Sequence, residues 1–199
     1  MPKVVDHGER RQLIVDGMWA IVQRDGFSAV SVRSIATEVC LSKSTIAHYF
    51  SSQDEILAVA VRQQIDMNNQ EFAALDLQRC TPGLAQQAML VAIPTTTQQR
   101  RQSQVWLALL EHSAASPLVA DALAQMNREI RATVRVLLSA LDANGFVAPE
   151  RDLDLEAVKF HAAIDGLSVQ SLTDQQSAEP SLVREVLAAM IAELAHPNS

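Results

Sequence analysis

Between positions 42 and 50 the chain reads Ser-Lys-Ser-Thr-Ile-Ala-His-Tyr-Phe, which gathers four hydroxyls, a lysine and an imidazole within a few residues. Such groups on one short helix can donate to and accept from phosphate oxygens and base edges, the chemistry by which a side chain reads a DNA groove. The run serves that purpose only if Ile46 and Phe50 turn inward and Lys43, Ser44, Thr45, Ala47, His48 and Tyr49 stay largely free. Ser42 stands where it can cap the helix.

The element before it must hold this helix in place. Ser31 can cap a helix whose Val32, Ile35, Ala36 and Val39 recur at spacings of three and four, so that they share one face. Cys40 and Leu41 then turn the chain. Helix, short turn and polar second helix make a helix-turn-helix. The formal charge of −7 and pI near 5.2 count against phosphate binding when taken as sums. The distribution reverses this, because residues 1–50 carry six basic and five acidic side chains while residues 51–199 carry ten and eighteen. Arg10, Arg11, Arg33 and Lys43 can therefore form a local positive face.

The runs Ser31-Val32-Arg33-Ser34-Ile35-Ala36, Leu41-Ser42-Lys43-Ser44-Thr45-Ile46 and His48-Tyr49-Phe50 together resemble the DNA-binding domain of the tetracycline-repressor (TetR) family of bacterial regulators. The resemblance covers roughly residues 9 to 57, with Phe27 after Asp25-Gly26 where that family closes its first helix. It departs from the family pattern at Cys40 and Ser44, where glycine is common, at Ala47, where an aromatic often contacts DNA, and at Gln53, where lysine usually opens the fourth helix. Carried over residue by residue, it implies that Ser31, Thr45 and Tyr49 hold phosphates, with Arg33 in the same basic face. It further implies that Ser42, Lys43, Ser44, Ala47 and His48 face base edges. Ala47 can touch a thymine methyl or act only as a good helix former, and Lys43 can meet guanine or a phosphate.

The rest of the chain reads as helix with short punctuation. Helix-like apolar spacing is expected over about residues 9–25, with Leu13, Ile14, Gly17, Met18, Ala20 and Ile21 inward and Gly26 as the stop. Ser52-Gln53-Asp54-Glu55 has the capping-box pattern, and Thr81-Pro82 and Ser116-Pro117 each place proline at a first helical position. Asn144-Gly145 ends a long helix, residues 98–112 form another, and residues 154–172 and 181–195 form the last two. The expected fold is all-α with nine helices, the TetR-like architecture that the resemblance implies. Residues 1–52 are the expected DNA-binding domain and residues 53–199 the effector-binding and dimerisation domain.

A pocket among the later helices should be mainly apolar with a few polar groups that orient the ligand. The candidates are Trp106, Glu111, His112, Met126, Phe160, His161 and Asp165, of which His161 and Asp165 are one turn apart. With aromatics at 4% of the chain, a full aromatic cage is not expected, so the predicted effector is a mainly apolar small molecule. Wide apolar stripes on the last two helices make Leu167, Val183, Leu187, Met190 and Ile191 the expected homodimer interface. The run Ala162-Ala163-Ile164-Asp165-Gly166-Leu167 resembles regulators with a BetI-like C-terminal domain, in which the last two helices pair across a twofold axis.

Other chemistries find little support. Glu193-Leu194-Ala195-His196 has the Glu-x-x-His spacing of di-iron bundles but lacks the second copy and the further inward glutamates. A G-x-S-x-G elbow, a phosphate-cradling glycine loop and a Cys-x-x-Cys pair are absent from the sequence. Cys40 and Cys80 are unclustered. No cofactor, metal or catalytic group is expected, and the chain is predicted to be a cytoplasmic protein without membrane contact. It is read as a ligand-responsive repressor released from a palindromic DNA operator, the alternative being a helical adaptor whose helix pair packs on protein.

Overall fold

The computed structural model describes residues 7–174 and 179–196. Nine α-helices follow one another among the described residues: α1 (His7–Asp25), α2 (Val32–Glu38), α3 (Lys43–Tyr49), α4 (Gln53–Ala73), α5 (Pro82–Leu90), α6 (Thr97–Ser113), α7 (Pro117–Ala143), α8 (Leu153–Thr173) and α9 (Pro180–Glu193). Short 3-10 turns at Phe27–Ala29 and Leu77–Arg79, which the sequence pattern does not announce, join α1 to α2 and α4 to α5. No described helix is long and apolar enough to cross a membrane.

Local chemistry sets most of the boundaries. The Ser31 hydroxyl accepts the Ser34 amide at 3.0 Å while the Ser34 hydroxyl accepts the Ser31 amide at 2.9 Å, so two donors that the helix leaves orphaned satisfy each other's residues. Ser42 caps α3 by accepting the Thr45 amide at 3.0 Å. The expected box at α4 is shifted by one residue. Ser52 does accept the Glu55 amide at 3.1 Å, but the Glu55 carboxylate takes the amide of Ser51, at 2.8 Å. Cys40 has φ of 53°, in the left-handed region that disfavours a Cβ, which gives the physical reason glycine is common at this turn in similar sequences.

The chain forms two compact units, Met1–Ile65 with Val105–Met126, and Asp66–Gln104 with Asn127–Ser199. In the first, Ile14, Met18 and Ile21 of α1 share a core with Ile35 of α2, Ile46 of α3, and Ile56 and Leu57 of α4. Val105, Leu109, Val119 and Leu123 join the same core, so packing extends this unit beyond the expected boundary at residue 52. Burying each such side chain is worth about 1.5–3 kcal/mol. Leu13, expected inward, is 39% exposed.

In the second unit Met89 and Ile93, Leu137, Leu138 and Leu141 of α7, Phe160 and Ile164 of α8, and Val183, Leu187 and Ile191 of α9 form one core. This corrects the interface expected from the sequence. Val183 and Leu187 are 0% exposed and Ile191 is 4% exposed, because α9 turns its apolar stripe onto its own unit, α5 included. Leu167 and Met190 are partly buried against the same core. On α8 and α9 the large apolar side chains left outward include Leu155, Val158 and Val169 of α8 and Leu182 of α9.

Candidate nucleic-acid interface

Ile46 is buried at 1% exposure and Phe50 at 3%, which fixes the roll of α3 and turns the opposite face outward. Ser42, Lys43, Ser44, Ala47 and His48 are exposed on that face, and Thr45 and Tyr49 are half-buried at its edge. The Ser42 hydroxyl sits 2.8 Å from both the Ser44 and the Thr45 hydroxyls, so three oxygens cluster at the N-terminal end of the helix. Arg33 is exposed on α2, and neither it nor Lys43 forms an ion pair among the described residues. At the other end the rings of His48 and Tyr49 meet edge to face at 5.2 Å, and the His7 ring of α1 lies tilted against Tyr49 at 4.7 Å.

Arg11 plays a different part from the surface charge expected of it. Its guanidinium donates to the Tyr49 carbonyl and pairs with Glu55 at 3.0 Å, and it lies 4.0 Å above the Phe50 ring. The Tyr49 carbonyl is among those that a helix leaves unpaired at its C-terminus, so Arg11 closes the end of α3 and ties it to α1 and α4. The amide of Ser51 and the Arg11 guanidinium hold the Glu55 carboxyl below its ordinary range. Arg24 is likewise committed, to Asp25 and Glu38, each at 2.9 Å. Arg11 looks in sequence like any other residue of a basic face, since Tyr49 and Glu55 lie on other elements, whereas Arg24 has one partner beside it in α1 and one, Glu38, on α2. Gln53, in place of the expected lysine, donates to the Val30 carbonyl at 3.2 Å.

The candidate effector residues divide between the two units. Trp106, Glu111, His112 and Met126 belong to the first unit, and Phe160, His161 and Asp165 to the second. Trp106 and Met126 pack on the first unit's core, and Glu111 is exposed. His112 Nε2 lies 2.8 Å from Asp54 Oδ1, and this hydrogen bond, with one from Ser116, holds the Asp54 carboxyl below its ordinary range. Phe160 is 1% exposed and belongs to the second core.

His161 and Asp165 do come together. His161 is 5% exposed, and its Nε2 stands 3.5 Å from Asp165 Oδ2 without an aligned hydrogen bond, which leaves that nitrogen unsatisfied. Desolvation raises the Asp165 carboxyl above its ordinary value, against the pull of His161 and Arg131. Among the described residues no group of three or more His, Cys, Asp and Glu could hold a metal ion.

Residues 14–60 match the family described as bacterial regulatory proteins, tetR family, and residues 83–196 match the C-terminal domain described for BetI-type transcriptional repressors. The HTH-type transcriptional regulator PksA of Bacillus subtilis (strain 168) is 30% identical over 190 residues, covering 94% of this chain and 90% of its own. A transcriptional regulator from Rhodococcus sp. Rha1 shares the fold at TM-score 0.77 and 22% identity, over 92% of this chain and 95% of its own. A regulator from Saccharomonospora viridis, solved in complex with choline, has TM-score 0.71 and 26% identity over 92% and 96% of the two chains.

Proposed function

Because the chain belongs to the TetR family of regulators and carries a BetI-type C-terminal domain, we propose that it binds a near-palindromic operator as a homodimer through the outward face of α3. It is a ligand-responsive DNA-binding transcriptional regulator and not an enzyme. The observation that carries the DNA assignment is the roll of α3: Ile46 and Phe50 inward, Ser42, Lys43, Ser44, Ala47 and His48 outward. An adaptor packing on protein would need an outward apolar face there, which these residues do not supply. In this reading Ser31, Arg33, Thr45 and Tyr49 contact phosphates. Selection from random duplexes tests the reading: one sequence class should emerge, with half-sites about 34 Å or more apart and affinity that falls with salt.

For the dimer, the face made by Leu155, Val158, Gly166 and Val169 of α8 with Leu182 of α9 replaces the core residues expected from sequence. A twofold interface uses the same patch on both copies, and this patch is apolar and outward. The effector is proposed to be small and mainly apolar, oriented by the unsatisfied His161 and by Asp165. The second unit contains only Phe72, Phe146 and Phe160 as aromatics, one of them sealed in the core, which is too few for an aromatic cage around a quaternary ammonium. Choline is the test compound. If choline releases the operator at micromolar concentration and His161→Ala leaves that release intact, the proposed effector chemistry is wrong.

A further inference from the structure

Three rings from two helices meet at the C-terminal end of α3. The His7 ring of α1 lies 4.7 Å from the Tyr49 ring and 6.3 Å from the His48 ring, and His48 meets Tyr49 at 5.2 Å. His7 and His48 are exposed and Tyr49 is half-buried. The chain has five histidines, and among the described residues the two that face a carboxylate at ion-pair distance are His112 and His161. The other charged groups to weigh against these rings lie on three helices. Arg10 and Arg11 follow His7 by one turn of α1, and Glu55 of α4 is already held by Arg11 and Ser51. Glu9 is exposed on α1, Lys43 stands at the opposite end of α3, and Asp6, which adjoins His7 in the sequence, lies outside the described residues.

Imidazole is the side chain whose ordinary titration falls between pH 5 and 8. Two imidazoles side by side oppose each other's protonation, and an anion placed against both reverses that opposition. A DNA phosphate is such an anion across this whole range. We propose that His7 and His48 form a proton-dependent clamp on a backbone phosphate at the Tyr49 edge of α3. The proposal rests on the reading of α3 as the DNA-binding helix and deepens it. His7 lies outside the run Ser31 to Tyr49 that holds the other proposed contacts, and it reaches this edge because α1 packs on α3. The bound state holds protons on these rings more tightly than the free protein does. Binding therefore takes up protons, and the operator is held more tightly as pH falls from 8 to 6.

The test measures affinity of the full-length protein for a duplex selected from random sequence, between pH 6 and 8 and at several salt concentrations. Wild type should bind about tenfold or more tighter at pH 6 than at pH 8, and its salt slope should steepen at pH 6 by about one unit per imidazole that meets phosphate. Each variant is compared with itself across the range. His7→Phe keeps a ring against Tyr49 without a titrating nitrogen and should lose about half of the logarithmic gain, as should His48→Gln, and the double variant should show none. Calorimetry at pH 6.5 in two buffers of different ionisation heat should show proton uptake on binding by wild type, a readout that a packing role for His7 would not move. Wild type that binds with a salt-sensitive sequence preference but with equal affinity at pH 6 and 8 would overturn the clamp and leave the operator reading standing. A pH dependence that survives in the double variant belongs to other groups and overturns the clamp as well. Wild type that prefers no duplex removes both.

Discussion

Around α3 the charged side chains Arg11, Arg24, Asp54 and Glu55 each end on a named partner, whereas in the second unit the buried His161 leaves Nε2 without one. A buried polar atom left unsatisfied costs about 1–3 kcal/mol, so the second unit carries a debt that a ligand able to hydrogen-bond would relieve. The first region is organised to hold one geometry. The second keeps a polar group in reserve. On the proposed reading, operator recognition uses the fixed arrangement and effector response the unsatisfied one, since a ligand shifts an equilibrium only through interactions it makes better in one state.

The largest effects should come from placing charge on the two sides of α8 and α9. Leu187→Asp buries an unpaired carboxylate in the second core and is expected to cost more than about 4 kcal/mol, abolishing the folded state by circular dichroism. Val158→Asp lies on the outward face and should leave helicity intact while converting dimers to monomers by light scattering. A folded Leu187→Asp monomer would restore the interface first expected from the sequence.

That correction shows where sequence ceased to suffice. The 3.6-residue spacing marked Val183, Leu187 and Ile191 as one apolar stripe, but a stripe facing its own core and one facing a second copy have the same periodicity. The caps at Ser31, Ser42 and Thr81 were legible because their partners lie three residues away. The α3 face was legible for the same reason, since one helix fixes which residues oppose Ile46 and Phe50. Arg11 with Tyr49 and His112 with Asp54 join residues 38 and 58 positions apart, and no local pattern announces them.

Two glycines sharpen the contrast at smaller amplitude. A Cβ at Gly17 would fall 2.2 Å from Val39 Cγ1, so Gly17→Ala forces the Val39 side chain or the backbone that carries it to shift and should cost about 1–3 kcal/mol in urea unfolding. At Gly166 a Cβ meets nothing within 4 Å, and Gly166→Ala should stabilise the isolated chain by about 0.5–1 kcal/mol. If the outward face of α8 packs on a second copy, the added methyl should instead weaken dimerisation.

The smallest expected effects are in pH dependence, and they differ in sign between the units. Asp54 and Glu55 have folded pKa values below their ordinary 3.8 and 4.5, so their contribution is present above that range and lost as pH falls through the depressed values. Asp165 is raised above 3.8, so its folded form holds a proton more tightly than the unfolded chain and the cost of its charge is relieved as pH falls. Asp54→Asn should lower stability at pH 7 and flatten the acid loss. Asp165→Asn should raise stability at pH 7, as read by thermal melts between pH 3 and 7.

The most direct test of the account is the salt dependence of operator binding by wild type and by Lys43→Ala, using a duplex selected from random sequence. Wild type should prefer that duplex, and Lys43→Ala should either reduce the salt slope by about one unit, if Lys43 meets only phosphate, or relax discrimination at one base pair by about 1–3 kcal/mol, if it meets a base edge. Absence of any salt-sensitive preference in wild type, or a Lys43→Ala protein unchanged in both slope and sequence preference, would contradict α3 as the reading surface.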